Sequence, residues 1–141
     1  MSIKPLSILL VEDDLVDVMN VKRAFKKNNI SNKLHVAGNG LEALQLLESL
    51  SHDEIPKIIL LDLNMPKMGG IDFLKALRNH DNHSLRRLSV FIMTTSNHDS
   101  DKINAYDLNV AGYILKPLSI QSFISSVSVL QNYWTLCEYP D

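Results

Sequence analysis

Residues 58–66 have the sequence IILLDLNMP, which indicates both a buried strand and the class of fold. Its first four residues are all apolar, which is typical of a strand buried on both faces of a parallel sheet. Asp62 follows that strand directly, so its carboxylate is expected at the carboxyl edge of the sheet. Open α/β sheets bind their ligands at this edge. We therefore expect Asp62 to belong to a ligand site.

Four further apolar runs of similar length divide the chain into repeated units. The five predicted strands are Ile8–Val11, Leu34–Ala37, Ile58–Leu61, Val90–Met93 and Tyr113–Leu115. Apolar residues recur every three or four positions in the segments that follow them, which predicts amphipathic helices. Residues 79–87 are polar and predict a loop. Five β–α units with short connections predict a doubly wound α/β domain, with helices on both faces of one parallel sheet.

Each predicted helix carries an apolar stripe. The stripe of the fifth helix is the clearest, and its members are Ile120, Phe123, Ile124, Val127, Leu130 and Trp134. The stripe of the first helix consists of Leu15, Val18, Val21 and Phe25. The fourth helix has a weak stripe, with Ile103 and Tyr106 as its main anchors. Ser119 is the expected N-cap of the fifth helix, and Ser100 or Asp101 that of the fourth.

Composition and charge exclude several classes of function. The 141 residues are 45% hydrophobic and 21% charged, as in an ordinary globular domain, and the net charge is −2. Because the chain has no basic stripe, we expect it to bind neither nucleic acid nor a membrane surface. It has one cysteine and no apolar run of the roughly 18 residues that a membrane span needs. We expect one cytoplasmic domain over residues 1–141.

Two acidic clusters follow predicted strands. Glu12, Asp13 and Asp14 come after the first strand, and Asp62 comes after the third. The sequence leaves the strand order open, but in the order 2-1-3-4-5 both clusters share one crevice. Carboxylates so close together repel one another, so the crevice needs a cation. A hard ion with oxygen ligands, such as Mg²⁺, suits these acids and a backbone carbonyl near Asn64.

Two other side chains at strand ends suit a phosphoryl group. Lys116 follows the fifth strand and offers a positive charge to phosphate oxygens, and Thr94 ends the fourth run with a hydroxyl donor. A magnesium ion screens the charge that otherwise keeps a carboxylate and a phosphate apart. Asp62 is then a nucleophile that forms an acyl phosphate. Each residue alone also fits a turn, a cap or a surface position, so the prediction depends on their joint placement.

These residues resemble the receiver domains of two-component response regulators. The matching stretches are residues 8–14 (ILLVEDD), 39–44 (NGLEAL), 61–66 (LDLNMP) with Gly69-Gly70 after it, 93–96 (MTTS) and 112–117 (GYILKP). The resemblance implies a flavodoxin-like sheet of order 2-1-3-4-5. It also implies a stand-alone switch that accepts a phosphoryl group from a sensor histidine kinase and signals by protein–protein contact. Such a protein catalyses only its own phosphorylation and dephosphorylation.

The resemblance also implies which residues hold the metal. Asp62 is the implied phosphoacceptor. Asp13 and Asp62 are implied direct ligands of Mg²⁺, and Glu12 is implied to act through water. Asn64 is implied to offer its main-chain carbonyl.

A second group of residues is implied to form the switch. Lys116 is expected to contact the phosphoryl oxygens, and the Lys116–Pro117 bond is expected to be cis. Thr94 is the implied switch hydroxyl, chosen over Thr95 because its spacing to Lys116 matches the family without a gap. Tyr113 is the aromatic residue expected to change rotamer with Thr94.

More narrowly, the chain resembles single-domain regulators that partner phytochrome-like histidine kinases in cyanobacteria. The similar features are residues 93–97 (MTTSN), the long loop at 79–87 and an aromatic tail at 133–141. Clustered aromatics beyond the fifth helix suit an interface, so we expect a possible homodimer through this C-terminal face. The alternative is that Trp134 folds back on the fifth helix.

Three other functions use similar folds or residues. A phosphatase with an aspartyl-phosphate intermediate needs a second acid two residues after Asp62, where the chain has Asn64. A flavin-binding protein needs an uncharged phosphate loop after the first strand, where the chain has Glu12, Asp13 and Asp14. A phosphate-independent adaptor of receiver fold stays open.

Overall fold

The computed structural model describes residues 6–140 of the chain. A five-stranded parallel sheet has the order β2-β1-β3-β4-β5, so the predicted sheet and strand order are confirmed. The strands are β1 (Ile8–Val11), β2 (Leu34–Ala37), β3 (Ile58–Leu61), β4 (Ser89–Thr94) and β5 (Gly112–Leu115). The domain expected over residues 1–141 includes residues 1–5 and 141, which lie outside the described range.

Strand register brings the two acidic clusters to the same edge of the sheet. In the β1–β3 pair, Ile8 lies opposite Ile58 and Val11 lies opposite Leu61. The next backbone hydrogen bond runs from the Asp62 N–H to the Val11 carbonyl, at 3.0 Å. The residues that follow β1 and β3 are therefore neighbours.

Six helices cover the two faces of the sheet. They are α1 (Leu15–Lys27), α2 (Gly40–Ser49), α3 (Gly70–Arg78), α4 (His83–Arg86), α5 (Asp99–Asp107) and α6 (Ile120–Leu136). The sheet packs one core against α1 and α6 and a second core against α2 to α5. The helix α4 lies within the polar segment that predicts a loop, and its N-cap Asn82 accepts a hydrogen bond from the Ser84 N–H. The predicted fourth and fifth helices are α5 and α6.

N-caps fix where several helices begin. Asp14 caps α1 by accepting hydrogen bonds from the Val16 and Asp17 N–H groups, and Ser119 caps α6 as expected. The expected cap of α5 is wrong, because His98 occupies that position. The Asp101 carboxylate is engaged elsewhere, since it accepts a hydrogen bond from the Ser96 hydroxyl.

Some predicted stripe residues face solvent. Leu15 is 78% exposed, because it is the first residue of α1 and lies at the rim of the core. In α5, Ile103 and Tyr106 are also exposed, and Ala105 is the residue of that helix in the core. A small residue at the contact lets α5 lie close to the sheet, so the larger apolar residues point away.

The C-terminal residues differ from the expected tail. Helix α6 continues to Leu136, so Tyr133 and Trp134 belong to its last turns. Trp134 is 1% exposed, with its ring centroid 6.2 Å from that of Phe25 in α1. Beyond the helix, the Tyr139 hydroxyl donates to the Trp134 carbonyl at 3.0 Å. Trp134 and Tyr139 are thus folded onto the domain, whereas Tyr133 and Leu136 stay exposed, and Asp141 lies outside the described residues.

The length and composition of a helix determine whether it can cross a membrane. Within residues 6–140, no helix combines the length and the apolar character that crossing a bilayer needs.

Candidate functional site

Three carboxylates meet at the carboxyl edge of β1 and β3. The Glu12, Asp13 and Asp62 groups each place an oxygen within 4.8 Å of the others. Glu12 and Asp62 are 4% and 7% exposed, whereas Asp13 is open to solvent. Hard divalent cations take oxygen ligands and keep bound waters, so a buried pair with an open third acid fits such an ion. The structure thus brings together the three acids that the sequence predicts to converge.

Lys116 places its ammonium among these acids. Its Nζ lies 2.6 Å from Glu12 Oε1 and 3.5 Å from Asp62 Oδ2. It also lies 2.7 Å from Asp17 Oδ2. The Lys116 N–H donates to the Thr94 carbonyl at 2.9 Å, which fixes the end of β5 beside β4. Burial alone lowers the pKa of Lys116, but the hydrogen bonds to Asp17 and Glu12 outweigh it, and its pKa is raised.

Asp62 has its two oxygens in different surroundings. Oδ1 accepts a hydrogen bond from the Leu63 N–H at 2.8 Å, whereas Oδ2 is the oxygen nearest to Lys116. The backbone N–H therefore orients the carboxylate. The other oxygen, Oδ2, remains on the side of the Lys116 ammonium.

Burial changes the acidity of Glu12. Desolvation raises the pKa of Glu12 to about 7, the hydrogen bond from Lys116 opposes that rise, and the charge of Asp62 adds to it. In the metal-free protein, this carboxylate therefore takes up a proton more readily than an ordinary glutamate.

The raised pKa of Glu12 predicts how stability depends on pH. Between the ordinary pKa of 4.5 and about 7, the folded state binds more protons than the unfolded state. The free energy of unfolding should therefore fall as pH rises through this window. Urea denaturation in EDTA at about pH 5 and about pH 8 measures this change. The uncharged variant Glu12→Gln should lose this component, and an equal fall in the variant would contradict the assignment.

The predicted switch residues are joined through Ser96. Thr94 is fully buried at the end of β4, and its Oγ1 accepts a hydrogen bond from the Ser96 N–H at 3.3 Å. The Tyr113 hydroxyl donates to the Ser96 carbonyl at 2.8 Å, and burial raises the pKa of Tyr113. The Ser96 hydroxyl in turn donates to Asp101 in α5. One loop residue thus links Thr94, Tyr113 and the first turn of α5.

The loop between β3 and α3 is held close to Asp62. Asn64, the expected carbonyl ligand, is exposed two residues after Asp62. The Gly70 N–H donates to the Leu63 carbonyl at 2.9 Å. A Cβ on Gly70 would lie 2.5 Å from the Asp62 carbonyl oxygen, so only glycine allows this close approach.

The Lys116–Pro117 peptide bond is trans, so the expected cis bond is wrong. No peptide bond within residues 6–140 is cis. The trans form is the one of lower energy even before proline.

Asp17 is the charged site residue that the sequence reasoning missed. It lies in the first turn of α1, where an acidic residue is ordinarily explained by the helix dipole. Spacing gave no signal, because Asp13 precedes the N-cap Asp14 and so does not share a helical face with Asp17.

Comparisons with known proteins identify the class. The family model of the response regulator receiver domain matches residues 8–128. Response regulator Rcp1 of Synechocystis is 33% identical over 133 residues, covering 92% of this chain and 89% of that protein. The probable methanogenesis regulatory protein FilR2 of Methanothrix harundinacea is 33% identical over 134 residues, covering 92% and 84%.

Solved structures agree with the sequence relatives. The phosphorylated cyanobacterial phytochrome response regulator RcpA superposes with a TM-score of 0.87 at 27% identity, covering 98% of this chain and 100% of that one. The Mn²⁺-bound form of Rcp1 superposes with a TM-score of 0.84 at 32% identity, covering 97% and 100%. The chain therefore belongs to the response regulator receiver-domain family. It is a signalling protein of two-component systems, as the sequence predicts.

Proposed function

We propose that this response regulator accepts a phosphoryl group on Asp62 from a sensor histidine kinase, in a reaction that needs Mg²⁺. The observation that carries this proposal is the position of Asp62, between two further carboxylates and an ammonium at one edge of the sheet. Acids alone suit many sites. Acids in contact with a lysine ammonium suit the transfer of an anionic group.

The chain supplies a nucleophile and two kinds of charge for this transfer. Glu12, Asp13 and Asp62, with the carbonyl of Asn64, would hold Mg²⁺, which supplies charge neutralisation between the carboxylate and the phosphoryl group. The free Asp62 oxygen attacks phosphorus and forms the acyl phosphate. The phosphorus–nitrogen bond of the phosphohistidine breaks, and its electrons stay with the leaving imidazole. Lys116 contacts the phosphoryl oxygens.

The signal would leave the site through the Ser96 loop. Thr94 exchanges its hydrogen bond with the Ser96 N–H for one to the new phosphoryl oxygens. Because Tyr113 and Asp101 bind the same loop residue, this exchange changes the position of Tyr113 and the first turn of α5. The result is a two-state equilibrium that is biased by contacts made only in the phosphorylated form.

The kinase would dock on exposed apolar side chains that neighbour Asp17 and Lys116 in the sequence. These are Leu15, Val16 and Met19 on α1 and Leu118 in the loop before α6. An apolar patch at the rim of a charged site suits a protein partner rather than a small molecule. The similarity to Rcp1 and to RcpA supports a kinase of the phytochrome-like class, acting in the cytoplasm.

A homodimer through the C-terminal face is part of this proposal. Val129, Tyr133 and Leu136 form an exposed stripe on α6, and no residue from 117 to 137 is charged. A charge-poor surface with an aromatic residue at its centre suits self-association. Sedimentation with and without a phosphoryl analogue measures it, and a monomer at high concentration in both states would reject it.

Intact-mass measurement tests the proposed function. After incubation with acetyl phosphate and Mg²⁺, the protein should gain the mass of one phosphoryl group. Hydroxylamine should remove it, because it cleaves acyl phosphates. A protein that gains no mass under these conditions would contradict the proposed function.

A further inference from the structure

Lys116 is held more closely by its two other partners than by the nucleophile. The contacts of Nζ with Glu12 and Asp17, at 2.6 and 2.7 Å, are hydrogen bonds. The separation of 3.5 Å from Asp62 Oδ2 is too long for a strong one. The ammonium is thus drawn away from the oxygen on which the phosphoryl group would be formed.

We propose that Asp17 is a positioning residue that restrains Lys116 and thereby weakens the binding of the phosphoryl group at Asp62. This inference rests on the proposed function of the site. Glu12 is the other close partner, but it belongs to the acids that would hold the metal, and the metal competes for its charge. Asp17 is outside that group of acids, so its attraction for Lys116 persists when the metal is bound.

The local structure holds the Asp17 side chain in contact with Lys116. The N-cap Asp14 accepts a hydrogen bond from the Asp17 N–H, which fixes the backbone of the first turn of α1. The Asp17 side chain is 33% exposed, and its contact with Lys116 joins α1 to the end of β5. A protein that docked on Leu15 or Val16 would therefore contact the helical turn in which Asp17 binds Lys116.

Removal of the Asp17 charge should release Lys116 towards Asp62. The variant Asp17→Asn should bind beryllofluoride, a phosphoryl analogue, about fivefold more tightly than the wild type, the size expected for a partly exposed ion pair. Affinity is measured by ¹⁹F NMR titration of the full chain at saturating Mg²⁺. Melting curves verify that each variant is folded, and Asp17→Ser serves as a second neutral variant.

Two charged-residue variants separate positioning from general electrostatics. Asp17→Glu keeps a carboxylate that can reach Lys116, so it should restore the affinity of the wild type. Asp99→Asn removes the same charge from the first turn of α5, which also begins at the carboxyl edge of the sheet, so it should also bind as the wild type does.

Each outcome distinguishes the inference from the function. The inference is overturned if both neutral variants bind like the wild type. It is also overturned if Asp99→Asn gains as much affinity as Asp17→Asn, or if Asp17→Glu binds as tightly as Asp17→Asn. A wild type that binds no beryllofluoride in Mg²⁺ contradicts the proposed function instead.

Discussion

The variant Asp62→Asn is expected to take up no phosphoryl group from acetyl phosphate in Mg²⁺. The amide nitrogen and oxygen of asparagine are poor nucleophiles, and an acyl phosphate cannot form on them. The fold should survive the change, because asparagine Oδ1 can still accept the hydrogen bond from the Leu63 N–H. Loss of one charge also relieves the repulsion with Glu12. Intact-mass spectra should therefore show complete loss of the mass gain in a folded protein.

A control variant shows that the loss belongs to the site. Asp53 is exposed in the short 3₁₀ turn His52–Glu54, on a different part of the chain. The variant Asp53→Asn should gain the same mass as the wild type. A mass gain in Asp62→Asn that hydroxylamine still removes would show that another carboxylate is the acceptor.

The variant Trp134→Ala is expected to lower the free energy of unfolding by about 3–5 kcal/mol. The indole is fully buried between α6 and α1, where it contacts the ring of Phe25. Its removal leaves a cavity at the contact that holds these two helices together. Without the indole, the last turns of α6 are held less firmly against α1. The backbone carbonyl of residue 134, which accepts the hydrogen bond from the Tyr139 hydroxyl, is then less well placed. Urea denaturation monitored by circular dichroism measures the loss.

The neighbouring residue is the matched control for stability. Tyr133 is 49% exposed and makes an edge contact with Phe91 at 5.8 Å between ring centroids. Tyr133→Ala should cost only about 1 kcal/mol of stability. It should instead weaken any self-association through α6. Equal destabilisation by both variants would contradict the burial of Trp134 as the cause.

Much of the fold could be predicted because the central strands β1 and β3 are short and wholly apolar. The runs Ile8–Val11 and Ile58–Leu61 have the predicted bounds in the structure, since burial on both faces leaves no ambiguity about the strand. The convergence of Glu12, Asp13 and Asp62 then follows from parallel strands that end at one edge. The strand order came from the resemblance to receiver domains, because hydrophobic pattern alone does not determine which strands are neighbours.

The remaining features depend on contacts between distant parts of the chain. Asp17 and Lys116 are 99 positions apart, so no local pattern joins them. Helix α6 extends past the expected start of the tail because its apolar stripe stays in phase up to Trp134, where α1 provides a partner. In α5, the small residue Ala105 makes the core contact, although the pattern favoured larger neighbours.

Borohydride trapping identifies the residue that carries the phosphoryl group. Borohydride reduces an aspartyl phosphate to homoserine, so peptide mapping of the trapped protein identifies the phosphorylated residue. After acetyl phosphate and Mg²⁺, homoserine should be found at position 62 alone, and EDTA in place of Mg²⁺ should abolish it. Homoserine at a different position, or an equal yield at 62 in EDTA, would contradict the claim that Asp62 accepts phosphoryl in a metal-dependent site.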